Sequence, residues 1–94
     1  MNKIAIAIVG TGYVGLSIST LLSQHNDVFA VDIIKSRVDM INNRISPIKD
    51  EYIEKFFKEK ELNLHATTNT SVYKNVEYII ICVPTNYDTK KKLF

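Results

Sequence analysis

The stretch IAIVGTGYVGLSIST (Ile6–Thr20) holds all three glycines of a 94-residue chain, at positions 10, 12 and 15. Glycine weakens helices and strands because it adds unfolded-state freedom and buries no side chain. Concentrating every glycine within six positions therefore marks a place where the backbone turns sharply or something approaches it closely. The residues on either side supply the context. Lys3–Val9 (KIAIAIV) is continuously apolar and partly β-branched, the pattern of a strand buried on both faces of a parallel sheet. Tyr13–Gln24 carries Val14, Leu16, Ile18, Leu21 and Leu22 at largely helical spacing, and HND (His25–Asp27) breaks it.

Gly10, Gly12 and Gly15 thus form G-x-G-x-x-G at a strand-to-helix junction. The first glycine permits the tight bend, the second lets a pyrophosphate reach the main chain, and the third lets helix and strand pack closely. Free amides and the positive dipole end of the helix then face the anion. Alone the pattern is weak, but the next apolar run, Val28–Asp32 (VFAVD), ends in an acid 17 positions after Gly15. A carboxylate there accepts from the ribose hydroxyls of an adenosine and repels a 2′-phosphate, which favours NAD over NADP. The bland alternative is that Asp32 caps a helix starting near Ile34. Arg37 is either a solvated helix residue or a partner of the NAD phosphates or the adenosine edge. FAD remains open on the glycine pattern alone.

Beyond Asp32 the pattern predicts helices over Lys35–Asn43, closed by Ser46-Pro47, and over Asp50–Lys60. A short strand at Leu64–Thr67, helical turns around Thr70–Lys74 and a strand over Val76–Val83 (VEYIIICV) follow; the last is the strongest strand signal of the chain and stops at Pro84. Strands alternating with helices predict an α/β fold: the first half of a Rossmann-type doubly wound parallel sheet, about four strands in the order 3-2-1-4, with helices on both faces. Such a half-fold leaves a sheet face or edge exposed and prone to self-association.

Composition narrows the function classes. The chain is 46% apolar and 23% charged with a net charge of +2, which excludes a strong bias toward nucleic acid or acidic lipid. No segment reaches the roughly 18 apolar residues of a membrane span. One cysteine, Cys82, rules out an internal disulfide and fits a reducing cytoplasm, the expected location. Its place in YIIICVP predicts a buried packing thiol, not a nucleophile. His25 and His65 have no acid or nucleophile at motif spacing. Tyr52, Tyr73 and Tyr78 are expected to pack at sheet–helix boundaries. Nothing has metal-ligand spacing.

The turn is more particular than the generic fingerprint. GTGYVGLS (Gly10–Ser17), RISPIKD (Arg44–Asp50) and VPTNYD (Val83–Asp88) together resemble the N-terminal part of the UDP-glucose/GDP-mannose dehydrogenase family, over essentially the whole chain. That resemblance implies an NAD-binding domain in which Gly10, Thr11, Gly12, Tyr13, Val14 and Gly15 line the pyrophosphate. It further implies that Asp32 holds the adenosine ribose, that Arg37 is a basic cofactor contact, and that Pro84 and Thr85 lie beside the cofactor near its nicotinamide half. The family oxidises the C6 alcohol of a nucleotide sugar to a carboxylate in two steps with two NAD, and PTNY leans toward UDP-glucose, giving UDP-glucuronate. A UDP-N-acetylmannosamine or GDP-mannose enzyme is the alternative; a non-catalytic dinucleotide-sensing module is another. The family's thiol nucleophile, oxyanion-holding lysine and asparagine, dimerisation region and UDP-sugar domain all lie beyond residue 94. No catalytic residue is therefore expected in this chain; the 94 residues read as part of an NAD-binding domain, inactive alone, whose parent is a homodimer.

Overall fold

The computed structural model describes residues 3–82; Pro84 and Thr85, and the rest of the PTN motif, lie outside them. The glycine cluster decides the architecture, because the strand before it and the helix after it pack against each other through it. Strand β1 (Ala5–Val9) runs into the turn, helix α1 (Tyr13–Leu22) leaves it, and β2 (Asp27–Val31) returns parallel to β1. Helices α2 (Lys35–Asn42) and α3 (Glu51–Glu59) follow, then β3 (Leu64–Thr67), a 3₁₀ turn (Thr70–Asn75) and β4 (Tyr78–Ile81). All pairings are parallel, and the sheet order is β3-β2-β1-β4, as the alternation predicts. The chain steps outward from β1 to β3 and then jumps back past β1 to β4. Helices α1–α3 cover one face of the sheet; the right-handed rule for parallel crossovers assigns the connection through the 3₁₀ turn to the other.

One core lies under the helices. Ile6 and Ile8 of β1, Val28 and Ala30 of β2 and Leu64 and Ala66 of β3 alternate onto one sheet face, where Leu16, Val38, Ile41, Ile53 and Phe57 cover them. In α3 the buried pair Ile53 and Phe57 is four residues apart, one helical stripe. That helix is capped as its sequence requires: the Asp50 carboxylate accepts from the Ile53 amide at 3.1 Å.

Helix α2 ends less predictably. Arg44 adopts φ +59°, the left-handed conformation usually given to glycine. Its amide donates to Ile41 O and the next amide, of Ile45, reaches back to Met40 O, closing a Schellman motif. The guanidinium then spans to the sheet, donating to the carbonyls of Ile41 (2.9 Å), Leu62 (3.1 Å) and Leu64 (3.0 Å). Burial pulls its pKa down from the ordinary arginine value. The RISPIKD segment therefore opens with a structural clamp.

The strongest apolar run, in β4, is an edge strand among the described residues, as the order 3-2-1-4 implies, and is largely exposed, with Ile81 70% accessible. A strand's hydrophobicity records how many neighbours it is suited to, and β4 has only β1 beside it among the described residues. Two expectations, on the tyrosines and on Cys82, need correction. Tyr52 and Tyr78 are exposed as well, not packed at a sheet–helix boundary. Cys82 is half-buried against the core rather than enclosed, though packing is still its visible role. His65 lies on the edge strand β3 and stacks on Phe29, with ring centroids 5.5 Å apart.

Candidate functional site

The three glycines do three different jobs. Gly10 sits at φ +100°, and a Cβ there would be driven into the carbonyl oxygen of Cys82, just past β4. Gly15 faces the turn from the first turn of α1, where a Cβ would strike the carbonyl of Gly10 itself. Both are glycine because the fold leaves no room. Gly12 is not: its φ of −70° is open to any residue, and a Cβ would meet nothing within 4 Å. The chain's own packing gives no reason for a glycine at this position.

Gly12 is also the N-cap of α1, and no side chain caps the helix there; its first turn carries no acidic residue. The opening amides of the helix, from Tyr13 to Gly15, have no acceptor in the helix. Ten residues of aligned peptide dipoles add a partial positive charge at this end. An uncapped, uncrowded helix start beside a side-chain-free position is a receptor for an anion such as a diphosphate.

Asp32 stands one residue past β2, and the structure ties it to the glycine turn. Its Oδ2 accepts from the Thr11 hydroxyl (2.6 Å) and the Thr11 amide (3.0 Å), while Oδ1 accepts from the Ile34 amide at 2.9 Å. Burial alone would raise the carboxyl pKa, but the Thr11 hydroxyl, the Ile34 and Thr11 amides and the Arg37 charge outweigh it, so the group is held below the ordinary aspartate value. The capping alternative is thus realised in part, since Asp32 does hold the amide of Ile34, the N-cap of α2. One of the four acceptor directions of the carboxylate, on Oδ1, remains unfilled.

Arg37 is turned inward. Its Nε donates to the Thr11 hydroxyl oxygen at 2.9 Å and an Nη to the Thr11 carbonyl. Neither reading from sequence, solvated residue or cofactor contact, anticipates this partner. Thr11, fully buried, is the hub of the cluster.

A cleft of about 270 Å³ opens beyond the carboxyl ends of β1, β2 and β4, lined by Val9, Gly10, Asp32, Ile33, Tyr73 and Cys82 among others. It lies where the chain reverses direction across the sheet, between β1 and β4, the switch point at which open parallel sheets bind ligands. Ile33, 92% exposed, presents an unpartnered apolar side chain at its rim. Ile33, Thr68, Thr70 and Tyr73 were not legible as site residues; the only signal was an isoleucine directly after the acid. A second cleft, about 260 Å³ between α1 and α3, is lined by Tyr13, Leu21, Tyr52 and Phe56 and has neither glycine turn nor ribose acceptor. Among the described residues no three His, Cys, Asp or Glu side chains gather as a metal site, and no helix is long and apolar enough to cross a membrane.

Comparison with known proteins agrees with this geometry. Residues 4–93 match the model of the UDP-glucose/GDP-mannose dehydrogenase family, NAD binding domain. A UDP-glucose 6-dehydrogenase of Streptococcus pneumoniae is 59% identical over 90 residues, 95% of this chain and 23% of the relative. One from Campylobacter jejuni is 45% identical over 92 residues, again 95% of this chain and 23% of the relative. Among solved structures, a ternary complex of GDP-mannose dehydrogenase from Pseudomonas aeruginosa superimposes with a TM-score of 0.78 at 28% identity, covering 90% of this chain and 20% of that one. The chain thus spans about a quarter of the length of the curated relatives it matches. On the fold, the glycine turn and these matches together, the chain belongs to the UDP-glucose/GDP-mannose dehydrogenase family and carries its NAD-binding domain.

Proposed function

We propose that this domain holds NAD for a dehydrogenase that oxidises UDP-glucose to UDP-glucuronate. The observation that carries the cofactor site is Gly12: a glycine with open space around it, at an uncapped helix start, where the fold itself requires none. The names of the two relatives, both UDP-glucose 6-dehydrogenases, support the substrate.

In this reading the pyrophosphate lies over Gly12, bound by the free amides of Tyr13, Val14 and Gly15. Gly10 and Thr11 shape the bend beneath it. Asp32 receives an adenosine ribose hydroxyl on the unfilled direction of Oδ1, and Ile33 and Tyr73 offer apolar surface to the adenine. Arg37 contributes charge from within the turn rather than by reaching the phosphates. Pro84 and Thr85 remain assigned to the nicotinamide half. Bound NAD supplies the hydride acceptor; the residues of this chain bind and orient it. Among the described residues the one thiol, Cys82, packs against the core rather than serving as a nucleophile, and in this reading the domain by itself does not turn over. A homodimeric parent belongs to the same reading, as does self-association of the chain through Tyr78, Ile79 and Ile81 on the exposed β4 edge.

The test follows NADH formation and NAD binding separately. The 94-residue chain should bind NAD and form no NADH with UDP-glucose. A longer protein containing it should form NADH with UDP-glucose in preference to GDP-mannose or UDP-N-acetylmannosamine. Preference for either other sugar would overturn the substrate; binding of FAD in place of NAD would overturn the site.

A further inference from the structure

Both arginines of the chain, and the lysine that follows Asp32 most closely in sequence, already have partners. Arg44 is spent on sheet carbonyls, Lys35 pairs with Asp39 at 3.0 Å, and Arg37 is bound to Thr11. The hydrogen-bond direction at Thr11 is unambiguous. An ionised carboxylate only accepts and a guanidinium only donates, so the single hydroxyl proton points to Asp32 and the lone pair to Arg37. One buried hydroxyl therefore connects the acid that meets the ribose with the nearest cation.

We infer that Thr11 is a positioning residue that sets the preference for NAD over NADP: its hydroxyl aims the Asp32 carboxylate at the ribose and keeps Arg37 folded onto the turn, away from any 2′-phosphate. This inference rests on the dinucleotide reading above and adds the residue that enforces its selectivity. With Thr11 in place, a 2′-phosphate meets an ionised carboxylate at a distance set by two Thr11 donors and finds no guanidinium to neutralise it. Without the hydroxyl, Asp32 loses its shortest hydrogen bond and Arg37 loses one of its two tethers.

Thr11→Val keeps the side-chain shape and removes both bonds; Thr11→Ser keeps both. Calorimetric titration of wild type and the two variants with NAD and with NADP reads the affinity ratio. Thr11→Val should weaken NAD about tenfold, the worth of one charge-assisted bond, and narrow the NAD-to-NADP ratio by a similar factor, with Thr11→Ser close to wild type. A merely structural role would weaken both nucleotides alike and leave the ratio unmoved. If Thr11→Val does not fold, Arg37→Met carries the test: an arginine tied to the turn lends its charge to both nucleotides alike, so its loss should weaken NAD and NADP together and leave their ratio within about twofold. A selective loss of NADP binding in Arg37→Met, or an unchanged ratio in a folded Thr11→Val, overturns the inference while the NAD site stands. A wild-type chain that binds neither nucleotide overturns the site itself.

Discussion

Replacing Gly12 by serine separates what the fold needs from what a ligand needs. The backbone at Gly12 is ordinary extended chain and a Cβ there meets nothing within 4 Å, so no strain is introduced. Serine is a preferred N-cap, and α1 has no side-chain cap to lose. Fold stability should therefore stay within about 0.5 kcal/mol of wild type, a shift of a few degrees at most in the melting temperature of a domain this size. Binding should respond in the opposite way. The new hydroxyl takes a helix amide meant for the pyrophosphate and fills the space above the turn. Losing that charge-assisted bond, and a second one as the displaced pyrophosphate moves off the neighbouring amide, costs about 3 kcal/mol, on the order of a hundredfold in NAD affinity. Gly15→Ala is the control: its methyl is forced into the Gly10 carbonyl, costing about 2 kcal/mol and lowering the midpoint by about 10 °C. Thermal melts and calorimetric titration on the same preparations read both quantities. A Gly12→Ser variant that binds NAD like wild type, or that melts like Gly15→Ala, refutes the division of labour among the glycines.

Asp32→Ala should cost about 1–3 kcal/mol in NAD binding, since the ribose and the buried Thr11 donors lose their acceptor; titration calorimetry checks it. Because the folded carboxyl is held below its unfolded value, its contribution is complete above the ordinary aspartate value near 3.9 and is lost as pH falls through the lowered one; acid unfolding of wild type should show this component and Asp32→Ala should not. Arg44→Ala, which keeps the left-handed strain and frees three carbonyls, should destabilise by about 2–4 kcal/mol in urea. Arg44→Gly should recover about 1 kcal/mol of that loss, and the reverse order would refute the strained-clamp account. Asp50→Ala should cost about 1 kcal/mol by removing the α3 cap, read by the same denaturation.

Where local chemistry dictated the structure, the sequence was legible. The apolar run into Gly10, the helix after Gly12 and the acid after the second strand each follow from a short-range rule, and their alternation gave the strand order. Residue choices that depend on distant partners were not legible. Arginine at the left-handed position 44 makes sense only once the carbonyls of Leu62 and Leu64 are in reach. Arg37 reads either as a solvated helix residue or as a cofactor contact until Thr11, 26 positions earlier, is seen to hold it. The apolar run of β4 announced a strand, and its exposure followed from the strand order rather than from the run itself, because burial depends on neighbours.

Titrating the nitrogen-15-labelled chain with NAD, and following each backbone amide, tests where the diphosphate docks. The amides of Gly12 to Leu16 and of Asp32 to Ile34 should move together and saturate at one affinity, with those of α3 unmoved. Shifts confined to the α1–α3 cleft around Leu21 and Phe56, or none at all at Gly12, would contradict the site.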